Sequence, residues 1–144
     1  FLKSSCSHIT SSEASKHIFG YAVGVDLTKR DLQANAKKDG KPWDLSKGFD
    51  NSAPISSILK KEEYLLDSGS ISLTVNGEEK QSSNISHMAW KVDELISCLS
   101  KFITLRAGDI IFTGTPAGVG KLNPLDKVHA SIEGVGTASF QLNQ

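Results

Sequence analysis

Ser70-Ile71-Ser72-Leu73-Thr74-Val75-Asn76-Gly77-Glu78-Glu79-Lys80-Gln81-Ser82-Ser83 carries the plainest structural signal in the chain. Ile71, Leu73 and Val75 alternate with polar residues, which puts three apolar side chains on one face of a strand. Asn76-Gly77 is the dipeptide that type I′ turns favour, because both central residues need positive φ. The stretch therefore reads as a β-hairpin with one wet face. Working outward, residues 20–27 (GYAVGVDL) read as a strand, with Tyr21, Val23 and Val25 on one face and Ala22, Gly24 and Asp26 on the other. The second face is a row of very small residues ending in a carboxylate, with room in front of it for something other than side chains. Thr28-Lys29-Arg30-Asp31 has the form of a capping box, and a helix is expected over about 29–38, closed by Gly40 and Pro42. The middle, 42–68, reads as loop with a short extended piece.

Toward the carboxy terminus, Met88, Val92, Leu95, Ile96, Leu99 and Phe102 recur at helical spacing, which predicts an amphipathic helix over about 91–102. Residues 109–113 are expected as an apolar strand, and KVHASI and TASFQL as two last strands around a turn at 133–136. The order strand, helix, hairpin, helix, three strands predicts an α+β fold rich in β, with a mixed sheet. No repeat or shift in composition marks a linker, so residues 1–144 are read as a single domain. The first 15 residues hold six serines without periodicity and are expected as an exposed tail or severed connection. The only methionine is Met88, so the chain is expected to be a processed product or part of something longer.

Lys plus Arg and Asp plus Glu balance at 16 each, which gives no electrostatic case for nucleic acid or a membrane surface. No stretch approaches the roughly 20 apolar residues that span a bilayer. With two cysteines, Cys6 and Cys98, the composition is not that of a disulfide-stapled secreted domain, and free thiols are expected. The cytoplasm or the mitochondrial matrix fits these features.

Two segments invite chemistry. The loop Phe112-Thr113-Gly114-Thr115-Pro116-Ala117-Gly118-Val119-Gly120-Lys121-Leu122 is rich in glycine, but it is not a P-loop: Thr115 stands where the first glycine should be, Pro116 lacks an amide donor, and Leu122 replaces the magnesium-holding hydroxyl. Two readings remain, a tight turn between strands or a site for a carboxylate built from Thr113, Thr115 and the amides around Gly114. Asp26 is either a partner for the following helix or an oxygen ligand for a hard cation such as Mg²⁺. Lys47, between Trp43 and Phe49, reads as an amine that burial would partly desolvate and that would stabilise developing negative charge. The pairs Glu62-Glu63 and Glu78-Glu79 read as solvated surface. His8, His17, His87 and His129 show no ligand spacing and take no role.

Three blocks together carry a resemblance: GYAVGVDLTKRDLQ at 20–33, KPWDLSKGFDNSAPIS at 41–56 and SKFITLRAGDIIFTGTPAGVG at 100–120. In these, and over 11–142, the chain resembles the carboxy-terminal part of the fumarylacetoacetate hydrolase family, in its acylpyruvase and oxaloacetate decarboxylase branch. The resemblance implies a rolled, mixed β-sheet with a few flanking helices, usually dimeric. It implies Asp26 as a ligand of Mg²⁺ or Mn²⁺, Arg30 and Gln33 pointing toward substrate, Lys47 as the lysine that stabilises an enolate, and Gly114 with Thr115 as the holder of the substrate carboxylate. The implied activity is metal-dependent cleavage of a carbon–carbon bond in a 2-keto or β-keto acid. An isomerase acting on a hydroxymuconate-like diacid, or a non-catalytic binding module, stand as alternatives. The family's remaining metal ligands come from an E-x-E motif and its water-activating pair from His-x-x-Glu, and neither motif occurs in these 144 residues. The expected partners are accordingly a keto acid, a second copy of the chain, and a missing amino-terminal segment.

Overall fold

The structure, a computed structural model, describes residues 1–63 and 66–143. In chain order its elements are α1 (Ser11–Ala14), β1 (Gly20–Tyr21), α2 (Arg30–Lys38), α3 (Asp44–Lys47), β2 (Leu59–Lys60), β3 (Ser70–Val75), β4 (Glu78–Asn84), α4 (Val92–Ser100), β5 (Lys127–Ile132) and β6 (Gly136–Gln141), with short 3-10 turns between. The hairpin forms where its sequence places it, with Asn76 at φ 52° and Gly77 at φ 83°. It does not stand alone, because β3 pairs with β5 on its other side and β6 extends the sheet to the order β4-β3-β5-β6. Every ladder among the described residues is antiparallel. The α+β, β-rich class expected from the element order is observed, while the sheet expected as mixed is antiparallel among the described residues.

Two apolar clusters hold the molecule together. One joins Leu2, Cys6, Ala14, Ile18, Ile96 and Leu105, and the other sets Val23 against Ala130, Val135 and Ala138 of the β5–β6 region; the ring of Tyr21 packs on both. Each fully buried aliphatic side chain of this kind contributes about 1.5–3 kcal/mol. The amino-terminal stretch, expected as an exposed tail, is instead part of the first cluster. Leu2 bridges to Ile18 and Cys6 to Leu105, and Ala14 is completely buried. The Ser97 hydroxyl donates to Ile9 O, and the buried Ser100 hydroxyl accepts from Ile9 N, so the end of α4 clasps this stretch. Its serines suggested a tail, but they alternate with the few apolar residues that matter.

Three further expectations are corrected. Helix α4 stops at Ser100, and Phe102 lies beyond it, 80% exposed, so the apolar stripe is Val92, Leu95, Ile96 and Leu99. Residues 109–113, expected as a strand, join no ladder among the described residues, and Ile110 and Phe112 remain exposed. The supposed loop at 42–68 contains α3, a four-residue helix too short to show periodicity. Among the described residues, no helix is long and apolar enough to cross a membrane.

Candidate functional site

The 20–27 strand is laddered only at β1, after which it runs extended. Val25 N donates to Pro54 O, Leu27 N to Ser52 O and Ser56 N to Val23 O, so the segment 52–56 holds it in place. The predicted alternation holds on its apolar side, where Tyr21, Val23 and Val25 pack into the second cluster. On the small-residue side, the space before Gly24 belongs to a side chain after all: a Cβ there would lie 2.8 Å from the Phe112 ring. Gly24 is thus what lets the 109–116 segment lie against this strand and bring its loop to the strand's carboxyl end.

At that end, Asp26 meets Lys47. The Lys47 ammonium lies 2.6 Å from Asp26 Oδ2 and 3.0 Å from Thr28 Oγ1, and the Thr28 hydroxyl donates to Asp26 O. Thr28 is therefore occupied here rather than capping α2, whose N-cap residue, Lys29, makes no side-chain cap. Helix α3 brings Lys47 to this point. The Ser46 hydroxyl donates to Trp43 O at 2.6 Å, while Ser46 O accepts from Lys29 N at 3.0 Å, tying α3 to the start of α2. Lys47 is not wedged between its aromatic neighbours, as its sequence setting suggested. Those rings receive other cations, Lys29 over Phe49 at 4.7 Å and Lys37 over Trp43 at 5.6 Å.

On the first turn of α2, Arg30 Nη1 donates to Gln33 Oε1 at 2.7 Å. Gln33 is buried at 7% exposure, so its carboxamide braces the guanidinium from behind. Asp26, Thr28, Arg30, Gly114, Thr115 and Gly118 all line one cleft of about 1220 Å³. Lys47 and Gln33, also expected at the site, do not line it: Lys47 contacts its wall residues Asp26 and Thr28, and Gln33 its wall residue Arg30. Gly114 has φ 106° and Gly118 φ 100°, conformations that favour glycine, and among the described residues no helix follows the loop. Lys121 is exposed at the same wall.

The cleft brings together two sites that the sequence separates by nearly ninety positions. One carries a carboxylate with an ammonium; the other carries a hydroxyl and a glycine-shaped backbone. Such a set suits a small anionic ligand with a second polar centre. It does not make a metal site by itself. Among the described residues no three His, Cys, Asp or Glu side chains cluster, and Asp26 supplies one oxygen where Mg²⁺ takes six donors. Sequence reasoning missed Gln81, whose carboxamide nitrogen lies 2.8 Å from Thr115 Oγ1 and 2.7 Å from Pro116 O. As a polar residue in a hairpin it carries no sequence signal of this contact.

The profile of the family described as "Fumarylacetoacetate (FAA) hydrolase C-terminal" matches residues 1–143. A fumarylpyruvate hydrolase from Ralstonia sp. is 40% identical over 132 residues, 92% of this chain and 69% of the relative. The oxaloacetate tautomerase YcgM of Escherichia coli (strain K12) is 43% identical over 127 residues, 87% of this chain and 58% of the relative. The crystal structure of fumarylpyruvate hydrolase from Pseudomonas aeruginosa in complex with Mn²⁺ and pyruvate superposes with a TM-score of 0.96 at 39% identity, covering 99% of this chain and 61% of that one. The chain thus spans about three fifths to two thirds of the length of these proteins.

Proposed function

Since the chain belongs to the fumarylacetoacetate hydrolase family, we propose that its cleft binds a 2-keto acid and promotes hydrolysis of an acylpyruvate, with departure of a pyruvate enolate. The observation that carries this reading is Asp26, which lines one cleft with Gly114 and Thr115 and is paired with the Lys47 ammonium at 2.6 Å. A lysine ammonium has three N–H donors, and Lys47 gives two of them to Asp26 and Thr28. The third is left for substrate oxygen, and the fixed charge stabilises the enolate as the carbon–carbon bond breaks. Thr115 and the neighbouring amides receive the carboxylate. Arg30, with one of its five N–H donors held by Gln33, faces the same anion.

Asp26 is proposed as one ligand of a divalent cation, Mn²⁺ or Mg²⁺, with the other ligands supplied from outside the described residues. The Mn²⁺ named with the Pseudomonas aeruginosa enzyme supports this. Because the residues present do not complete such a site, no step here runs through it, and the base that activates water is not assigned among them.

A second reading has its own support: oxaloacetate tautomerisation, from the E. coli relative of that name. It uses the same enolate and the same Lys47 charge, and releases no pyruvate. The test is to supply the protein, at the full length its gene encodes and with Mn²⁺, with acetylpyruvate and with enol-oxaloacetate. Pyruvate release from the first supports hydrolysis, ketonisation of the second alone supports tautomerisation, and inertness toward both refutes the reading.

A further inference from the structure

The loop that lines the cleft is held by β4. The β3–β4 register slips between Leu73, which faces Gln81, and Thr74, which faces Glu79, so Lys80 is the extra residue of a β-bulge. At this bulge the loop comes very close: a Cβ on Gly118 would lie 2.0 Å from the Lys80 carbonyl oxygen. The next side chain, Gln81, is 8% exposed and turns into the loop.

The direction of its hydrogen bonds is settled by chemistry. Pro116 O is a carbonyl and only accepts, so the amide nitrogen of Gln81 faces it at 2.7 Å. The same nitrogen lies 2.8 Å from Thr115 Oγ1 and donates its second hydrogen there. The Thr115 hydroxyl is thus an acceptor toward Gln81, and its one proton is left to donate elsewhere. We propose that Gln81 is a positioning residue that fixes the Thr115 hydroxyl as a donor into the cleft, selecting an anionic acceptor such as a carboxylate over a group that donates. This rests on the reading of the loop as the carboxylate holder. It adds that the loop's specificity is set from β4, a residue 34 positions upstream.

The test uses the full-length protein and KM and kcat for acetylpyruvate. Gln81→Met keeps length and burial but removes both donors, and should raise KM by about 10-fold, the size of one hydrogen bond to a charged group, with kcat changed less than about twofold. In a Thr115→Val background the same substitution should add less than about twofold, because the hydroxyl it orients is gone. The isosteric Gln81→Glu, which offers only acceptors when ionised, is the second variant should Gln81→Met fail to fold, and it too should raise KM at least about 10-fold. An unchanged KM in these variants, or effects of Gln81→Met and Thr115→Val that multiply in full, would overturn the positioning role while leaving the loop's function intact. If Thr115→Val itself leaves KM unchanged, or the wild type turns nothing over, both readings fall together.

Discussion

Thr115 and Lys121 line the same cleft six positions apart in sequence, yet the geometry gives them different weight. Both are exposed, and Thr115 differs in accepting a hydrogen bond from the Gln81 carboxamide. Thr115→Val should raise KM for a keto acid by about 10-fold or more, and Lys121→Ala by less than about twofold. Steady-state kinetics of the two variants side by side check this, and equal effects would count against the assignment. Lys47→Met should act differently again, lowering kcat by about 10²–10³-fold, since a charge aimed at the enolate matters most in the transition state. Asp26, Arg30, Gly114 and Thr115, brought together in the sequence only by the family resemblance, line one cleft. The setting of Lys47 was not legible there. Its aromatic neighbours lie next to it in sequence, but the atom that defines it, Asp26 Oδ2, is 21 positions upstream. Gln81 was invisible for the same reason, a contact made across the fold by a residue whose local pattern is complete without it.

Elements with strong local signals emerged, the β3–β4 hairpin from its alternation and Asn76-Gly77, and α4 from its apolar spacing, though it ends two residues short of Phe102. The stretch 109–113 did not, since an apolar run says that a segment is extended without saying that it has a partner. The edge of α4 makes a stability test. Ile96, 2% exposed in the first cluster, should cost about 2–5 kcal/mol on Ile96→Ala, while Phe102→Ala, outside the helix and exposed, should stay within about 0.5 kcal/mol. Urea unfolding of both variants measures the contrast, and a large loss at Phe102 would place it back in the core. The turn after the glycine loop is tied to the hairpin through Asp126. Its carboxylate accepts from Asn123 N and from the Asn76 amide, each at 2.8 Å, and these bonds hold it below the usual carboxylate range. A pKa lowered on folding means that the contribution is present above the unfolded value of 3.8 and is lost as pH falls through the folded one. Melting temperature between about pH 4.5 and about pH 2 should therefore fall less steeply in Asp126→Asn than in the wild type; parallel curves would exclude the linkage.

At the scale of the molecule, the fold gathers three distant blocks: the strand end with Asp26 and the start of α2 share one cleft with the glycine loop, and the short helix sets Lys47 against Asp26. The sequence showed that these blocks belong together through their likeness to one family. It did not show how they meet, because the contacts that join them, Gly24 under Phe112 and Gln81 to Thr115, are single close approaches with no periodic signature. The dimer expected from the family remains a proposal, and sedimentation of the full-length protein tests it. The central claim is that Lys47, paired with Asp26, stabilises an enolate formed from a 2-keto acid held by Thr115. It is met most directly by measuring kcat of the full-length, Mn²⁺-supplied protein on acetylpyruvate and enol-oxaloacetate, wild type against Lys47→Met. The account predicts turnover of at least one substrate by the wild type, cut by about 10²-fold or more in the variant with KM little changed. Equal kcat in the two proteins would contradict it.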